Sequence, residues 1–266
     1  MKTKSSGFTL IELLVVIATV TILAAALLSA LGAAREKVHG GVCKGNQRQI
    51  IISYQLVLEE DKSGASWWTD PEVESSWGIF DRIHKGGQLY ICPCAPWKER
   101  DRAMELPWDS WIDGTVDSAW CMSGGDYAAA SSYTWNGVTL ALSAYTPGFR
   151  DRSMEALIKR PVLTPFQADG VYFVVGPTAT DLPAQDLYTG KTPDGTYEHM
   201  ATMTIPRHGS RPRLVPRNWP VSSPLPGAVN VGFFDGHVEV VKLDRLWDLE
   251  WDPRYYLPPA KRPGLR

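Results

Sequence analysis

The sequence predicts an α+β fold: a long N-terminal α-helix, membrane-spanning in its first half, leading into one small globular domain built on an antiparallel β-sheet. Three observations predict it. From Phe8 to Ala34 the chain is apolar, with Glu12 as its single charge and no proline. From Gln47 onward, apolar residues recur at a rough helical period. Near the other end, "GAVNVGFFDGHVEVVKL" reads as two strands about an Asp235-Gly236 turn.

The bulk composition sets the frame. A chain of 266 residues has room for a short appendage plus one ordinary domain. With 44% hydrophobic and 21% charged residues it is globular rather than disordered. Its 27 basic and 29 acidic side chains leave a formal charge of -2, without the basic excess of a nucleic-acid binder, so no nucleic-acid partner is expected. The four cysteines, Cys43, Cys92, Cys94 and Cys121, include no C-x-x-C pair, which argues against a zinc ribbon or a thioredoxin-type site. An even count suits one or two disulfides outside the cytoplasm, and three full pairings remain open.

The opening element is long enough to cross a bilayer, since residues 8–34 as a helix span roughly 40 Å. Lys2 and Lys4 precede it, which places the N-terminus in the cytoplasm and the residues after about 35 outside. A secretory signal peptide would be shorter, and cleavage behind the run would explain neither Gly7 nor Glu12. A plain anchor accounts for length and orientation. It leaves Glu12 as a cost of about 2.5–3.5 kcal/mol at mid-bilayer, and less near a helix end.

The stretch "GFTLIELLVVIATVTILAAALLSALGAAREK" (7–37) resembles the N-terminus of type IV prepilins and type II secretion pseudopilins. That resemblance implies a pilin-like fold with the helix packed on the sheet, and a leader of residues 1–7. A prepilin peptidase would cut after Gly7 and N-methylation would follow at Phe8. It implies a structural, non-enzymatic subunit of a type IV pilus-like or type II secretion-like filament, with other pilin-like subunits and inner-membrane lipid as partners. The protein would be single-pass in the bacterial inner membrane, its C-terminal domain extracytoplasmic. Glu12 falls at the family's assembly glutamate. An α-amine at Phe8 is mostly cationic at neutral pH, and a carboxylate four residues on lies along the same helix face. Pairing two charges that are costly in lipid lowers that cost. The small residues Ala24–Ala26, Ser29, Ala30 and Gly32 suit close helix approach.

The helix is expected to continue, with 8–34 as the transmembrane half and 35–65 as the extracytoplasmic half. Gly40, Gly41 and Gly45 weaken it by about 1 kcal/mol each relative to Ala, predicting a bend or frayed turn, and "DKSGA" (61–65) reads as the stop. Residues 66–245 form the globular domain. Within it, Gln88–Cys92 reads as a short strand entering a Pro-rich turn. The Trp-rich middle invites a carbohydrate-binding reading, but packed core or interface is the commoner use of large aromatics. Val162–Ala168 and Val171–Val175 read as strands around Asp169-Gly170, and Ala228–Phe234 with His237–Leu243 as a hairpin. The tail, 246–266, is expected to begin with a helical turn about Leu246 and Leu249 and to end extended or disordered.

A second resemblance lies at this end. "PRHGS" (206–210) and "NVGFFDGHVE" (230–239) are similar to the C-terminal His-spacer-Asp-Gly pattern of prepilin-like proteins from planctomycetes and verrucomicrobia. Here 26 residues separate His208 from Asp235, where that pattern has about nine. Resemblance to one branch of these proteins also implies a Cys43–Cys92 disulfide, against the alternative of a free buried thiol. His208, Asp235 and His237 are candidate ligands for a divalent metal, the one cofactor considered. Asp-Gly, however, is what a type I′ turn requires in any case. "TPDGTYEH" (192–199) offers oxygen ligands for calcium without EF-hand spacing. No H-E-x-x-H, G-x-S-x-G or P-loop pattern is present, so no catalytic residue is assigned. The alternative function is a membrane-anchored extracytoplasmic binding protein, for a glycan or other surface ligand, that uses the prepilin signal for sorting.

Overall fold

The computed structural model describes residues 8–60, 87–98, 105–107, 110–123, 128–139, 158–196, 198–254 and 256–266. The chain divides into two compact units, 1–39 and 40–266. One helix, α1 (Leu10–Glu60), supplies the described elements of the first unit and opens the second. The helix stop expected at 61–65 lies outside the described residues.

In the first unit α1 is apolar all round, and the side chains of Leu10, Ile11, Leu13, Ile22, Leu27 and Leu31 are exposed. A helix without a polar face belongs in an apolar surrounding. In the second unit the pattern changes. Cys43, Gln47, Ile50, Ile51 and Tyr54 are buried, at helical spacing along one stripe, while Ile52 and Leu56 face outward. Of the expected bend or frayed turn, the frayed turn is not found: α1 is helical through Gly40, Gly41 and Gly45. Tertiary packing of the stripe outweighs the glycine propensity cost.

The described residues of the body form two sheets. β1 (Ser110–Ile112), β2 (Trp120–Ser123) and β3 (Ala128–Ser131) form an antiparallel meander. The larger sheet contains β4 (Tyr133–Asn136), β5 (Pro165–Asp169), β6 (Val174–Val175), β7 (Ala228–Phe233) and β8 (Val238–Lys242), in the order β6-β4-β5-β7-β8. All its pairings are antiparallel except β6 on β4. This is the expected α+β layout.

The C-terminal hairpin forms as read: Ala228 pairs with Lys242 and Gly232 with Val238, and the turn glycine Gly236 has φ 88°. Gly232 marks the close approach of α1, because a Cβ there would lie 2.5 Å from Ile51 Cδ1. Gln47 and Gln55 of the helix donate to the carbonyls of Asn230 (3.4 Å) and Phe234 (2.7 Å), knitting α1 to β7 and the residue that follows it.

Three expectations are corrected. The segments on either side of Asp169-Gly170 do not form a hairpin. β4 lies between β5 and β6, and Gly170 sits where any Cβ would collide with the Thr134 side chain of β4. Gln88–Cys92 is not a strand. Gly87–Tyr90 is a 3-10 turn, and the chain beyond it is held by Ser131 and Ser132, whose hydroxyls donate to Tyr90 O (3.0 Å) and Ala95 O (2.7 Å). Pro93 and Pro96, which cannot donate to a ladder, keep the chain beyond Cys92 from extending into one. The tail is docked rather than disordered. Leu246, Leu249, Trp251 and Tyr256 enter the main core after a 3-10 helix at Leu243–Asp248. Beyond them Arg262 is buried, paired with Asp244 Oδ1 at 2.8 Å and donating to Val221 O and Ser223 O.

Among the described aromatics of the middle, the largest lie in the core. Trp120 and Trp135 are fully buried, packed edge-to-face 6.1 Å apart and joined by Phe173 and Tyr133. Trp67, Trp68, Trp77 and Trp108 lie outside the described residues.

Candidate functional site

Among the described residues, two places carry residues with an assignable role. The first is the start of α1. Thr9 stands at the N-cap: its N–H and hydroxyl both donate to Glu12 Oε2, at 2.9 and 2.7 Å, and its Oγ1 accepts from the Glu12 N–H at 3.3 Å. This is a capping box, which satisfies otherwise orphaned helix-start donors. Glu12 thus has a local structural partner within its own chain. Phe8 is 74% exposed, and Gly7 lies outside the described residues.

The second place is a buried polar cluster under the helix. Cys43 comes from the stripe of α1, Cys92 from the segment after the 3-10 turn, Asp169 from the end of β5, and His208 from the residue that bridges to Ala228 at the start of β7. All four are buried, and one ligand atom from each lies within 4.8 Å of the others. Cys43 Sγ donates to Asp169 Oδ1 at 3.3 Å. His208 Nε2 is 3.2 Å from Asp169 Oδ2 and 3.6 Å from Cys92 Sγ. The Asn230 N–H donates to Asp169 Oδ2 at 2.6 Å.

Arg207 closes the cluster from behind. It is fully buried, lies 3.8 Å from Asp169 Oδ1, and donates to the carbonyls of Val116, Thr115, Gly170 and Ser132. A buried cation with this many acceptors is a structural hub. Burial pushes the Cys43 thiol up and the Cys92 thiol up to about 11, so both are protonated as the cluster stands. Burial opposes charge on His208 and Asp169 as well. There the mutual attraction wins, raising His208 and lowering Asp169, with Arg207 adding to the latter.

The cluster gathers some of the residues singled out in the sequence and not others. Cys43 and Cys92 are brought together as free thiols. His208 joins them rather than Asp235 and His237. Those two pair with each other across the β7–β8 turn at 2.5 Å, with His237 stacked on Phe233. Since His208 bridges to Ala228 and Asp235 follows β7, about 20 Å of strand separates them, and the three cannot share one ion. In the 192–199 loop, Asp194 Oδ1 is engaged by Thr192 and Thr196 within its own turn. Sequence reading missed Asp169 and Arg207. The sequence places Asp169 in a turn dipeptide with Gly170. The signal was an acid at the end of an apolar strand, "PFQAD", where a charge must be paired if buried.

Comparison with known proteins bears on the first place. Residues 2–28 match the family model for the prokaryotic N-terminal methylation motif, a prepilin-type signal. No curated protein and no solved structure shows significant similarity to the chain. The signal falls on a helix long and apolar enough to cross a membrane, and the two together fit single-pass membrane anchoring.

Proposed function

We propose that this protein is a prepilin-like structural subunit of an extracytoplasmic filament, of type IV pilus or type II secretion type. It is cleaved after Gly7 by prepilin peptidase, methylated at Phe8, and stored in the inner membrane with the body outside. The observation that carries the reading is the methylation motif at residues 2–28 coinciding with a helix whose apolar side chains are exposed all round. Such a surface needs lipid before assembly and neighbouring helices after it. The partners are other pilin-like subunits, and Glu12 meets the N-terminal amine of a neighbour in the fibre. The C-terminal part is of the planctomycete and verrucomicrobial His-spacer-Asp-Gly type. Its residues have physical work to do: Arg207 and His208 in the buried cluster, Gly209 at φ 69°, and Asp235-Gly236 in the hairpin turn. The alternative is a glycan-binding anchored protein; of the described tryptophans, Trp120, Trp135, Trp247 and Trp251 are buried and closed to a ligand, while Trp97, Trp111 and Trp219 are half-buried.

The test is intact mass and N-terminal sequencing of the protein from native membranes. A chain starting at Phe8 and carrying one extra methyl group is expected. A start at Met1, or a cut near residue 34, would overturn the assignment. Gly7→Leu is expected to leave the leader attached, read as the Met1 start and loss of the methyl group.

A further inference from the structure

We propose that Cys43, Cys92, Asp169 and His208 form a closed, tetrahedral site for a thiophilic divalent cation, zinc above all, that staples the helix to the body.

The geometry carries the argument. Zinc bonds of about 2.3 Å to sulfur and about 2.0–2.1 Å to nitrogen or oxygen, at tetrahedral angles, put sulfur and imidazole nitrogen roughly 3.6 Å apart, sulfur and oxygen roughly 3.5 Å, and nitrogen and oxygen roughly 3.3 Å. The corresponding separations are 3.6 Å for Cys92 Sγ to His208 Nε2, 3.3 Å for Cys43 Sγ to Asp169 Oδ1 and 3.2 Å for His208 Nε2 to Asp169 Oδ2. All four ligand atoms fall within 4.8 Å of one another. Three of the six separations are thus near those of a zinc-sized tetrahedron, the two that involve Asp169 being to its two different carboxylate oxygens, of which one would bind. Two sulfurs, one imidazole and one carboxylate select a borderline-soft, four-coordinate ion over calcium or magnesium.

The surroundings fit a bound cation. The Asn230 side chain is buried with neither Nδ2 nor Oδ1 hydrogen-bonded. It stands beside the Cys43 sulfur. A thiolate there would give this unpartnered amide an acceptor, in the way outer-shell donors support metal ligands. Charge also balances. Two thiolates and a carboxylate against a divalent ion leave one negative charge, and the Arg207 guanidinium 3.8 Å from Asp169 supplies its counterion. The reaction is simple exchange: the cation enters, four metal–ligand bonds form, and the protons of the two thiols and the imidazole leave to solvent.

Four protein ligands in a buried pocket leave no open position, so the site is structural. Its ligands come from positions 43, 92, 169 and 208, so one ion would close three long loops at once. A Cys43–Cys92 disulfide would use the same sulfurs and exclude the metal, which makes the two alternatives chemically exclusive.

The test uses the full-length chain, purified in detergent without reductant or chelator. Metal is quantified by mass spectrometry, and thiol state by a non-reducing peptide map. One zinc per chain is expected, with Cys43 and Cys92 unlinked. Exchange of zinc for cobalt(II) in the wild-type chain should give a thiolate-to-metal charge-transfer band and tetrahedral ligand-field bands. That readout needs no variant to fold. Cys92→Ser should lose about half the charge-transfer intensity, and Asp169→Asn and His208→Ala the stoichiometric zinc. Cys94→Ser, at a neighbouring cysteine outside the set, should keep one zinc and the full cobalt spectrum. Substoichiometric zinc with no cobalt–thiolate band would overturn the proposal. So would a peptide joining Cys43 to Cys92, or full zinc retention in a Cys43→Ser/Cys92→Ser double variant.

Discussion

The two parts of α1 share one backbone geometry and have opposite surfaces. From Leu10 to Leu31 the described apolar side chains are exposed on every side, whereas from Cys43 to Tyr54 the apolar and polar buried residues fall on one stripe. The first part has no described residue packed over it and is apolar enough to cross a membrane. What holds the second lies inside the chain, in Ile51 against Gly232, Gln47 and Gln55 on strand carbonyls, and Cys43 in the buried cluster. One helix can therefore serve two solvents because its sequence changes from uniformly apolar to amphipathic. Substitutions in the body should damage folding and leave processing intact; substitutions at the helix start should do the reverse.

The largest effect that would sharpen this contrast is expected from Arg207→Met. It leaves the Asp169 carboxylate and four carbonyls without their buried cation. Removing one partner of such a pair costs roughly 3–5 kcal/mol. The body's urea midpoint, followed by tryptophan fluorescence in detergent, should fall accordingly, while the chain still starts at Phe8. An unchanged midpoint would mean that Arg207 is not the hub its contacts describe.

Next comes Arg262→Ala, which releases the last residues. Its guanidinium pairs with Asp244 and donates to Val221 O and Ser223 O, 5.7 Å over the Trp247 ring. Hydrogen bonds to a charged group are worth about 1.5–3 kcal/mol, and the loss should fall in that range. The C-terminal dozen residues should also become protease-sensitive while the core stays folded. Gly232→Ala follows, at about 1–3 kcal/mol, the range for overpacking a tight contact. Its Cβ must displace Ile51 of α1. A concurrent Ile51→Val should recover part of the loss, as expected for residues in contact.

The sequence made the helix and the C-terminal hairpin legible because both rest on local signals: an apolar run, and an Asp-Gly turn between apolar arms. The order of the larger sheet was not legible. Asp169-Gly170 carries the same turn dipeptide as Asp235-Gly236, yet β4, over thirty residues upstream, inserts between the flanking strands. Nothing local to Asp169 records that insertion. The buried cluster was half legible for the same reason. Cys43, Cys92 and His208 stood out as residue types, but their meeting with Asp169 depends on a strand order that no spacing encodes. The tail misled in the opposite sense, since Pro and Arg density suggests disorder unless an acceptor such as the half-buried Asp244 claims the arginine.

The smallest effect on the fold is expected from Glu12→Gln, and it probes the other end of the comparison. Glu12 has a local role, accepting from the Thr9 N–H and hydroxyl, to separate from the proposed intermolecular one, offering charge to a neighbour's amine. Glutamine serves a capping box nearly as well as glutamate, so Glu12→Gln keeps the cap and removes the charge. Glu12→Ala removes both. Circular dichroism should show unchanged helix content for the glutamine variant, and its body should melt with the wild type. Both variants should still be cut after Gly7. If the charge is what assembly uses, both should be missing from purified filaments to the same extent. If the glutamine variant assembles and the alanine variant does not, the residue acts through the helix cap, and the exposed apolar surface alone directs the packing.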